Sequence, residues 1–293
     1  MKEVMLFLEV TFGPLVFLFT VSNLAAMGLQ VRVPEVVVAL RNKKALVLIF
    51  VWGWLVGPAF GYLITRVLPL AEPFVVVVLL ASLAPCAPFL QQMVGKARGN
   101  MGFAGALIPV VAVGTVVLMP LMAPLLIKGL TISTWGLAKP LLLTILLPLL
   151  IGAAIRHFAD SGATRVFPVI KGLAVLTTLA TILWCLVLYG QGMLNTAGQL
   201  ALFAMTLFMV GMGVITYLIG FGLKQNQRSV MALGMGTRNV AAVLAAALAI
   251  PNADPRIVVM VVMWTLWSVV LAALGAMIFA RQAGRNAVES GAN

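Results

Sequence analysis

Long apolar stretches separated by short polar gaps dominate the chain from end to end. A membrane-spanning helix needs about 20 predominantly apolar residues, and nine stretches meet that length. They lie at about 4–29, 45–68, 73–95, 101–127, 138–156, 167–190, 198–223, 229–250 and 256–280. The short alternating segments typical of membrane β-barrels do not occur. The pattern therefore predicts an all-α polytopic membrane protein with about nine transmembrane helices.

Composition excludes a soluble globular protein. The chain is 63% hydrophobic and only 9% charged, with a mean hydropathy of +1.15, so there are too few charges to cover a water-facing surface. The first apolar stretch has spanning length, longer than that of a signal peptide, and we interpret it as the first transmembrane helix. We expect the lipid bilayer as partner and no nucleic acid, because the net charge of +12 is concentrated in the short gaps.

The basic residues alternate between rich and poor gaps, which orients the chain. The rich gaps hold Arg32, Arg41, Lys43, Lys44, Lys96, Arg98, Arg156, Arg165, Lys171, Lys224, Arg228, Arg281 and Arg285, and the poor gaps hold Lys2, Arg66, Lys128, Lys139 and Arg256. Because basic loops stay in the cytoplasm, we expect the N-terminus outside and the C-terminus inside a bacterial cytoplasmic membrane. Residues 283–293 are expected to form a disordered cytoplasmic tail.

Two of the predicted spans contain helix-breaking residues next to polar ones. The third has Pro85 and Pro88 before Gln91 and Gln92, and the eighth has Gly234, Gly236, Thr237, Arg238 and Asn239. Proline removes a backbone donor and glycine relaxes the helix, so both spans are predicted to unwind in mid-membrane. Paired broken helices mark the binding site in many secondary transporters. The alternative is that these residues only kink two packed helices and that the amides join neighbouring helices.

Arg238 is the most costly residue in the predicted membrane region. An arginine at mid-bilayer costs roughly 2.5–3.5 kcal/mol on insertion scales, so it needs a partner. The guanidinium stays charged and matches a carboxylate with two donors. We therefore predict a substrate-binding site for an organic anion, formed by Arg238, Asn239, Thr237, Gln91 and Gln92, with Asn23 and Ser22 as weaker candidates. The alternative is an ion pair with a buried acid, for which Glu9 is the only acid within a span.

Other chemistry finds little support in the sequence. Cys86 and Cys185 lie in apolar segments and are expected to be buried thiols, and His157 is the only histidine, so no metal site is predicted. No nucleophile–base pair or nucleotide-binding loop occurs. We expect neither an enzyme nor a cofactor.

The second predicted span carries a stripe of small residues. Gly53, Gly57 and Gly61 recur at intervals of four, which places them on one helix face. Such a face lets another helix approach closely, and Pro58 within it predicts a kink.

Three segments resemble the bile acid:sodium symporter family, within the bile/arsenite/riboflavin transporter superfamily. They are "GTRNVAAVLAAALA" (236–249), residues 85–100 from Pro85 to the "ARGN" exit, and "SNLAAMGLQV" (22–31). The resemblance implies inverted repeats that form a panel and a core domain, with two crossing broken helices. The first repeat would cover 1–130, one helix short, and the second 131–282. It also implies an organic anion as substrate and two bound sodium ions.

The family's sodium ligands are mostly replaced in this chain. On the resemblance, the crossover-helix glutamate falls on Gly234 and its glutamine on Arg238. The other ligand positions fall on Leu90, Gln91, Ala104, Ile108 and near Gly53. Since a hard cation needs several oxygen ligands, the usual sodium sites are not expected, and Arg238 is hypothesised to stand where relatives bind sodium. Sodium or proton coupling stays open.

The resulting functional prediction is a secondary transporter that moves a small or amphipathic organic anion by alternating access. The alternative within transporters is an arsenite-type metalloid efflux permease, because "LAPCAPF" resembles the arsenite permease segment in which Cys86 would bind the metalloid. An intramembrane enzyme or a receptor would differ from both kinds of transporter, because neither would carry a saturable flux of substrate across a sealed membrane.

Overall fold

The computed structural model describes residues 2–127, 130, 132–197 and 200–291, and this part of the chain is helical with no β-strand. The helices are α1 (Lys2–Gly28), α2 (Val33–Arg41), α3 (Lys43–Phe50), α4 (Gly57–Val67), α5 (Glu72–Ser82), α6 (Leu90–Lys96), α7 (Met101–Leu126), α8 (Thr134–Leu141), α9 (Leu147–Phe158), α10 (Asp160–Ala197), α11 (Ala201–Leu218), α12 (Gln225–Gly236), α13 (Val240–Ala249) and α14 (Pro255–Gly291). The predicted all-α class is confirmed.

Within the described ranges, seven helices are long and apolar enough to cross a membrane. Two of them are composite, because π-helical turns at Val51–Val56 and Leu142–Leu146 join α3 to α4 and α8 to α9. The other two predicted spans are each divided into two short helices, α5 with α6 and α12 with α13. The count of nine crossings therefore stays a prediction.

Three helix boundaries differ from the sequence-based expectation. The basic gap after α1 contains α2, and α10 begins at Asp160, where that carboxylate pairs with Arg156 at 3.1 Å. The tail beyond residue 283, expected to be disordered, continues α14 as a helix to Gly291. Hydropathy locates only the apolar part of a helix, so it misses polar turns that extend beyond the lipid. Lys128 lies outside the described residues.

The start of α14 is held by a polar loop. The Asp254 carboxylate accepts from the backbone N–H of Arg256 at 2.8 Å and pairs with its guanidinium at 2.7 Å. The hydrogen bonds from Arg256 hold the pKa of Asp254 below its usual value.

One bundle consists of α1, α9 and α10, which we call the panel bundle. Helices α1 and α9 meet backbone to backbone: a Cβ built on Gly152 would lie 2.6 Å from the carbonyl oxygen of Ala25. Between α1 and α10, the hydroxyls of Ser22 and Thr177 are 3.0 Å apart, and the Asn23 amide donates to Thr178 at 3.2 Å. Close packing and buried polar bonds make these three helices one unit.

The second bundle, which we call the core bundle, surrounds the two broken spans with α4, α7, α11 and α14. The glycine stripe of the second span faces the end of α5: a Cβ on Gly61 would lie 2.7 Å from the Ser82 Cβ, and one on Gly57 would lie 3.3 Å from the Ser82 carbonyl. The predicted close approach at these glycines is confirmed. The π-helical turn comes directly before Pro58, the residue that was expected to distort this helix.

Candidate functional site

The two broken spans cross each other at their breaks. Between α5 and α6 the chain leaves the helical conformation, and one antiparallel bridge joins Pro85 to Arg238 in the break between α12 and α13. The N–H of Cys86 donates to the carbonyls of Gly234 and Thr237 at 2.9 and 3.0 Å. The Asn239 N–H donates to the carbonyl of Ala84 at 2.8 Å. The predicted unwinding is confirmed, and the alternative of two merely kinked helices is wrong.

Local sequence explains why the helices stop at these points. Pro85 and Pro88 cannot donate to a helical ladder, and Cys86 has a left-handed φ of 71°. After α12, Thr237 is extended, and the Asn239 side chain caps α13 by accepting from the Ala242 N–H at 3.2 Å.

The Thr237 hydroxyl joins the two breaks. It donates to the carbonyl of Leu233 at 2.7 Å and accepts from the N–H of Ala87 at 3.2 Å. Unpaired backbone groups are costly at membrane depth, so this hydroxyl stabilises the crossing.

Arg238 lies inside the crossing and is 1% exposed. Its guanidinium donates to the carbonyls of Ala81 and Ser82, each at 3.5 Å, and to the carbonyl of Met235. The guanidinium carbon lies 4.5 Å from the centre of the Phe208 ring. Among the described residues no carboxylate pairs with it, and Glu9 is exposed on α1. The proposed ion pair with Glu9 is therefore not formed.

A cavity of about 440 Å³, which we call the central cavity, separates the panel bundle from the crossing. Arg238 and Val240 line it from the crossing, and Asn23 and Thr178 line it from α1 and α10. Of the described residues that line it, two are basic, Arg238 and Lys171, and none is acidic. The cavity is therefore electropositive.

The exposed lining residues mark the mouth of the central cavity. Gln30, Gln92 and Lys171 are exposed and line it, and each lies close in sequence to a gap rich in basic residues. The mouth therefore faces the side on which the basic gaps lie.

Lys171 lines the central cavity, and the sequence interpretation did not include it among the candidate site residues. It was counted with the basic residues that orient the chain, yet it lies within α10, roughly three turns after that helix begins. Its position inside the predicted span 167–190 was the signal that set it apart from a loop residue.

The structure brings together only part of the predicted set. Arg238, Gln92, Asn23 and Pro88 line the central cavity. Thr237 and Gly236 instead line a groove of about 470 Å³ between α11, α12 and α14, which is almost entirely apolar. Gln91 and Asn239 line neither space, and Ser22 bonds to α10. Asn239 and Thr237 serve the backbone of the crossing, because their side-chain oxygens accept from peptide N–H groups.

Cys86 lines neither the central cavity nor the apolar groove. Its thiol is buried and donates a hydrogen bond to the carbonyl of Ala87 at 3.9 Å. Cys185 is buried elsewhere, and among the described residues no group of three His, Cys, Asp or Glu side chains could hold a metal ion. The metalloid alternative gains no support from this placement.

Substituting Cys86 by glycine tests this placement. Glycine adopts the left-handed φ without strain, so Cys86→Gly is expected to retain the melting temperature of the wild type within about 3 °C, which corresponds to about 1 kcal/mol. Cells that express the variant should tolerate arsenite as the wild type does. Loss of arsenite tolerance in a folded Cys86→Gly protein would restore the metalloid permease as a candidate.

Comparison with known proteins agrees with this architecture. A search of curated proteins found no match. The family model described as "Sodium Bile acid symporter family" matches residues 16–196, which is more than half of the chain and includes the second half of α1, the panel contacts of α10 and the first of the two breaks. Members of that family are membrane transporters and not enzymes. With its helical membrane fold and this match, the chain belongs to the sodium bile acid symporter family.

Proposed function

We propose that this protein is a secondary transporter that moves a small or amphipathic organic anion across the membrane by alternating access. The observation that carries the proposal is the central cavity, which has two cationic side chains and, among its described lining residues, no acid. Its volume of about 440 Å³ is in the range of small-molecule sites.

The two cationic side chains lie at two depths of the cavity, and each can attract an anion. The Lys171 ammonium lies at the mouth and the Arg238 guanidinium lies at the crossing. Low-dielectric walls concentrate the field of such charges and raise the local concentration of anions. We assign Lys171 to attraction and first contact, and Gln92, Asn23 and Thr178 to polar contacts along the way.

The apolar side chains that line the rest of the cavity favour a substrate with an apolar body. Apolar side chains dominate the cavity walls, among them Phe19, Met27, Phe89, Ile182 and Leu266. They offer a surface to the apolar body of a substrate whose charged group faces Lys171 and Arg238. An anion with an apolar body therefore fits this space better than a small inorganic ion.

Alternating access would arise from movement between the two bundles. The panel bundle is held together by its own close contacts, and the central cavity separates it from the crossing. Rocking of the panel bundle against the core bundle would close the mouth and open the opposite side. With the basic gaps in the cytoplasm, the described conformation is open to the inside, the N-terminus is outside, and the C-terminus is cytoplasmic.

Uptake of labelled organic anions into proteoliposomes tests the proposal. Wild type is expected to show saturable uptake of at least one carboxylate or sulfate with an apolar body. In Lys171→Gln the KM should rise about 3- to 10-fold with little change in maximal rate, because an exposed rim charge contributes about 1 kcal/mol to binding.

The matched control is Arg165→Gln, which removes one positive charge from the same helix. Arg165 does not line the central cavity, so its KM should stay at the wild-type value. Equal KM values in all three proteins would remove Lys171 from the substrate path. Absence of saturable uptake for every organic anion tested would contradict the proposed function.

A further inference from the structure

Arg238 occupies a position built for a cation. The carbonyls that accept from its guanidinium belong to Ala81, Ser82 and Met235, which lie in the last turns of α5 and α12. Carbonyls at a helix C-terminus lack partners within the helix and carry the negative end of its dipole. Two such ends converge on one guanidinium, and the Phe208 ring adds a third electron-rich surface at 4.5 Å.

Sodium, which the family description implies, does not fit the side chains present. Of the positions that correspond on the resemblance to sodium ligands, Gly234, Leu90, Ala104 and Ile108 are buried and have no side-chain oxygen, and only Gln91 keeps an amide oxygen. A Cβ built on Gly234 would lie 3.1 Å from a methyl group of Leu107 and 3.5 Å from one of Leu90. Apolar side chains therefore fill this part of the core, where a hard cation would need oxygen ligands.

The ligand position near Gly53 lies beside the crossing. Gly53 faces Pro85 and Met235, since a Cβ there would lie 3.4 Å from the Pro85 ring and 3.9 Å from the Met235 sulfur. Glycine supplies no side-chain oxygen at this position, and the backbone carbonyl of Met235 accepts a hydrogen bond from the guanidinium. That carbonyl is therefore already bonded to a tethered positive group.

We infer that the guanidinium of Arg238 permanently replaces the coupling cation, so that this transporter carries its substrate without sodium. The part of the inference that concerns sodium-independent transport rests on the proposed function. The part that concerns ion binding, namely that wild type binds no sodium at the crossing, does not depend on any substrate. A tethered charge cannot leave the protein, so a sodium gradient has nothing to act on at this site.

The absence of a carried cation changes the driving force. A symporter that carries sodium with an anion compensates the charge of its substrate, whereas a carrier without sodium moves the negative charge alone. An inside-negative potential then opposes entry and favours exit. Unless a proton accompanies the anion, the transport cycle is then facilitated diffusion or exchange, with net flow set by the electrochemical gradient of the anion itself.

Melting temperature in detergent tests ion binding without any substrate. Wild type, Arg238→Gln and Arg228→Gln are compared in sodium, potassium and choline chloride at equal ionic strength. Arg228 is a matched control, because it also donates to helix-end carbonyls, those of Tyr217 and Leu218, and lies over the Tyr217 ring at 5.0 Å. Arg228 lies outside the crossing and does not line the central cavity.

The expected result is a sodium response only when the guanidinium of Arg238 is absent. Wild type and Arg228→Gln should each have the same melting temperature in all three salts. Arg238→Gln should gain about 3 °C or more in sodium, because the glutamine oxygen and the carbonyls of Ala81, Ser82 and Met235 that loss of the guanidinium leaves free can hold the ion, and a bound ion stabilises the folded state. Sodium-specific stabilisation of wild type would overturn the inference, and so would a folded Arg238→Gln protein that does not respond to sodium.

A second variant keeps the test decisive if Arg238→Gln does not fold. Arg238→Lys keeps a tethered positive charge at the crossing and should remain insensitive to sodium, whereas a sodium response in it would contradict the inference. Wild-type anion uptake should proceed at the same rate with or without a sodium gradient. If a sodium gradient drives uptake, the inference is wrong, but the protein is still an anion transporter. If wild type takes up no anion and its melting temperature is the same in all three salts, the proposed function is wrong and the inference about ion binding stands.

Discussion

Gly28→Leu is expected to cause a large loss of stability, because it forces α1 away from α9. A Cβ at this position would lie 3.0 Å from the Cα of Gly152 and closer still to the carbonyl oxygen of Leu149, so backbone atoms would have to move. Overpacking of this kind typically costs about 1–3 kcal/mol and more where backbone is involved. We expect the melting temperature in detergent to fall by about 6 °C or more.

Gly13→Leu is the matched control for this prediction. Gly13 lies on the same helix, and a Cβ there would meet nothing within 4 Å. This variant should melt within about 2 °C of wild type, because leucine suits a lipid-facing helix. Equal melting temperatures for both leucine variants would show that α1 and α9 can separate freely, which would contradict a panel bundle that moves as one unit.

Thr237→Val is expected to destabilise the crossing and reduce transport together. Valine has nearly the shape of threonine, but it cannot accept from the N–H of Ala87, which has no other hydrogen-bond partner among the described residues. An unpaired buried N–H costs about 1–3 kcal/mol. The melting temperature should fall by about 4 °C, and the maximal uptake rate should fall while the KM stays near that of wild type, since Thr237 does not line the central cavity.

Thr216→Val separates this effect from the general cost of losing a buried hydroxyl. Thr216 is also buried and also donates to the carbonyl four residues before it, that of Met212. Its hydroxyl accepts from no peptide N–H in the described part of the chain, so valine leaves no backbone donor unpaired. A loss of stability in Thr216→Val as large as that in Thr237→Val would remove the hydrogen bond between the two breaks as the cause.

Sequence analysis predicted the two breaks because their causes are local. Proline lacks a donor, and polar residues follow it in an otherwise apolar span. At the second break Gly234 and Gly236 lie within α12 without a positive φ, so there the polar residues 237–239 mark the break and glycine's backbone freedom is not used. The cost of placing Arg238 in a membrane likewise distinguished it within the sequence. Two of the three carbonyls that accept from Arg238 were not predictable, because they belong to Ala81 and Ser82, more than 150 residues earlier in the chain.

The roles of the polar residues near the breaks depend on the direction in which each side chain faces, and the sequence does not show that direction. Gln91 and Gln92 are adjacent, yet only Gln92 lines the central cavity. Thr237 and Asn239 flank Arg238, yet both bond to the backbone of the crossing. Neighbouring residues point to different sides, both within α6 and on the unwound segment after α12, so proximity in sequence does not place them in one site.

By itself, the sequence determined the membrane location, the helical class and the two interrupted spans, because hydropathy and backbone chemistry act over one helix length. Tertiary structure alone decided that Lys171 from α10 and Arg238 from the crossing line one cavity and that helix-end carbonyls surround the guanidinium. These contacts join helices far apart in the chain, so they depend on how the two bundles pack, which no local pattern specifies.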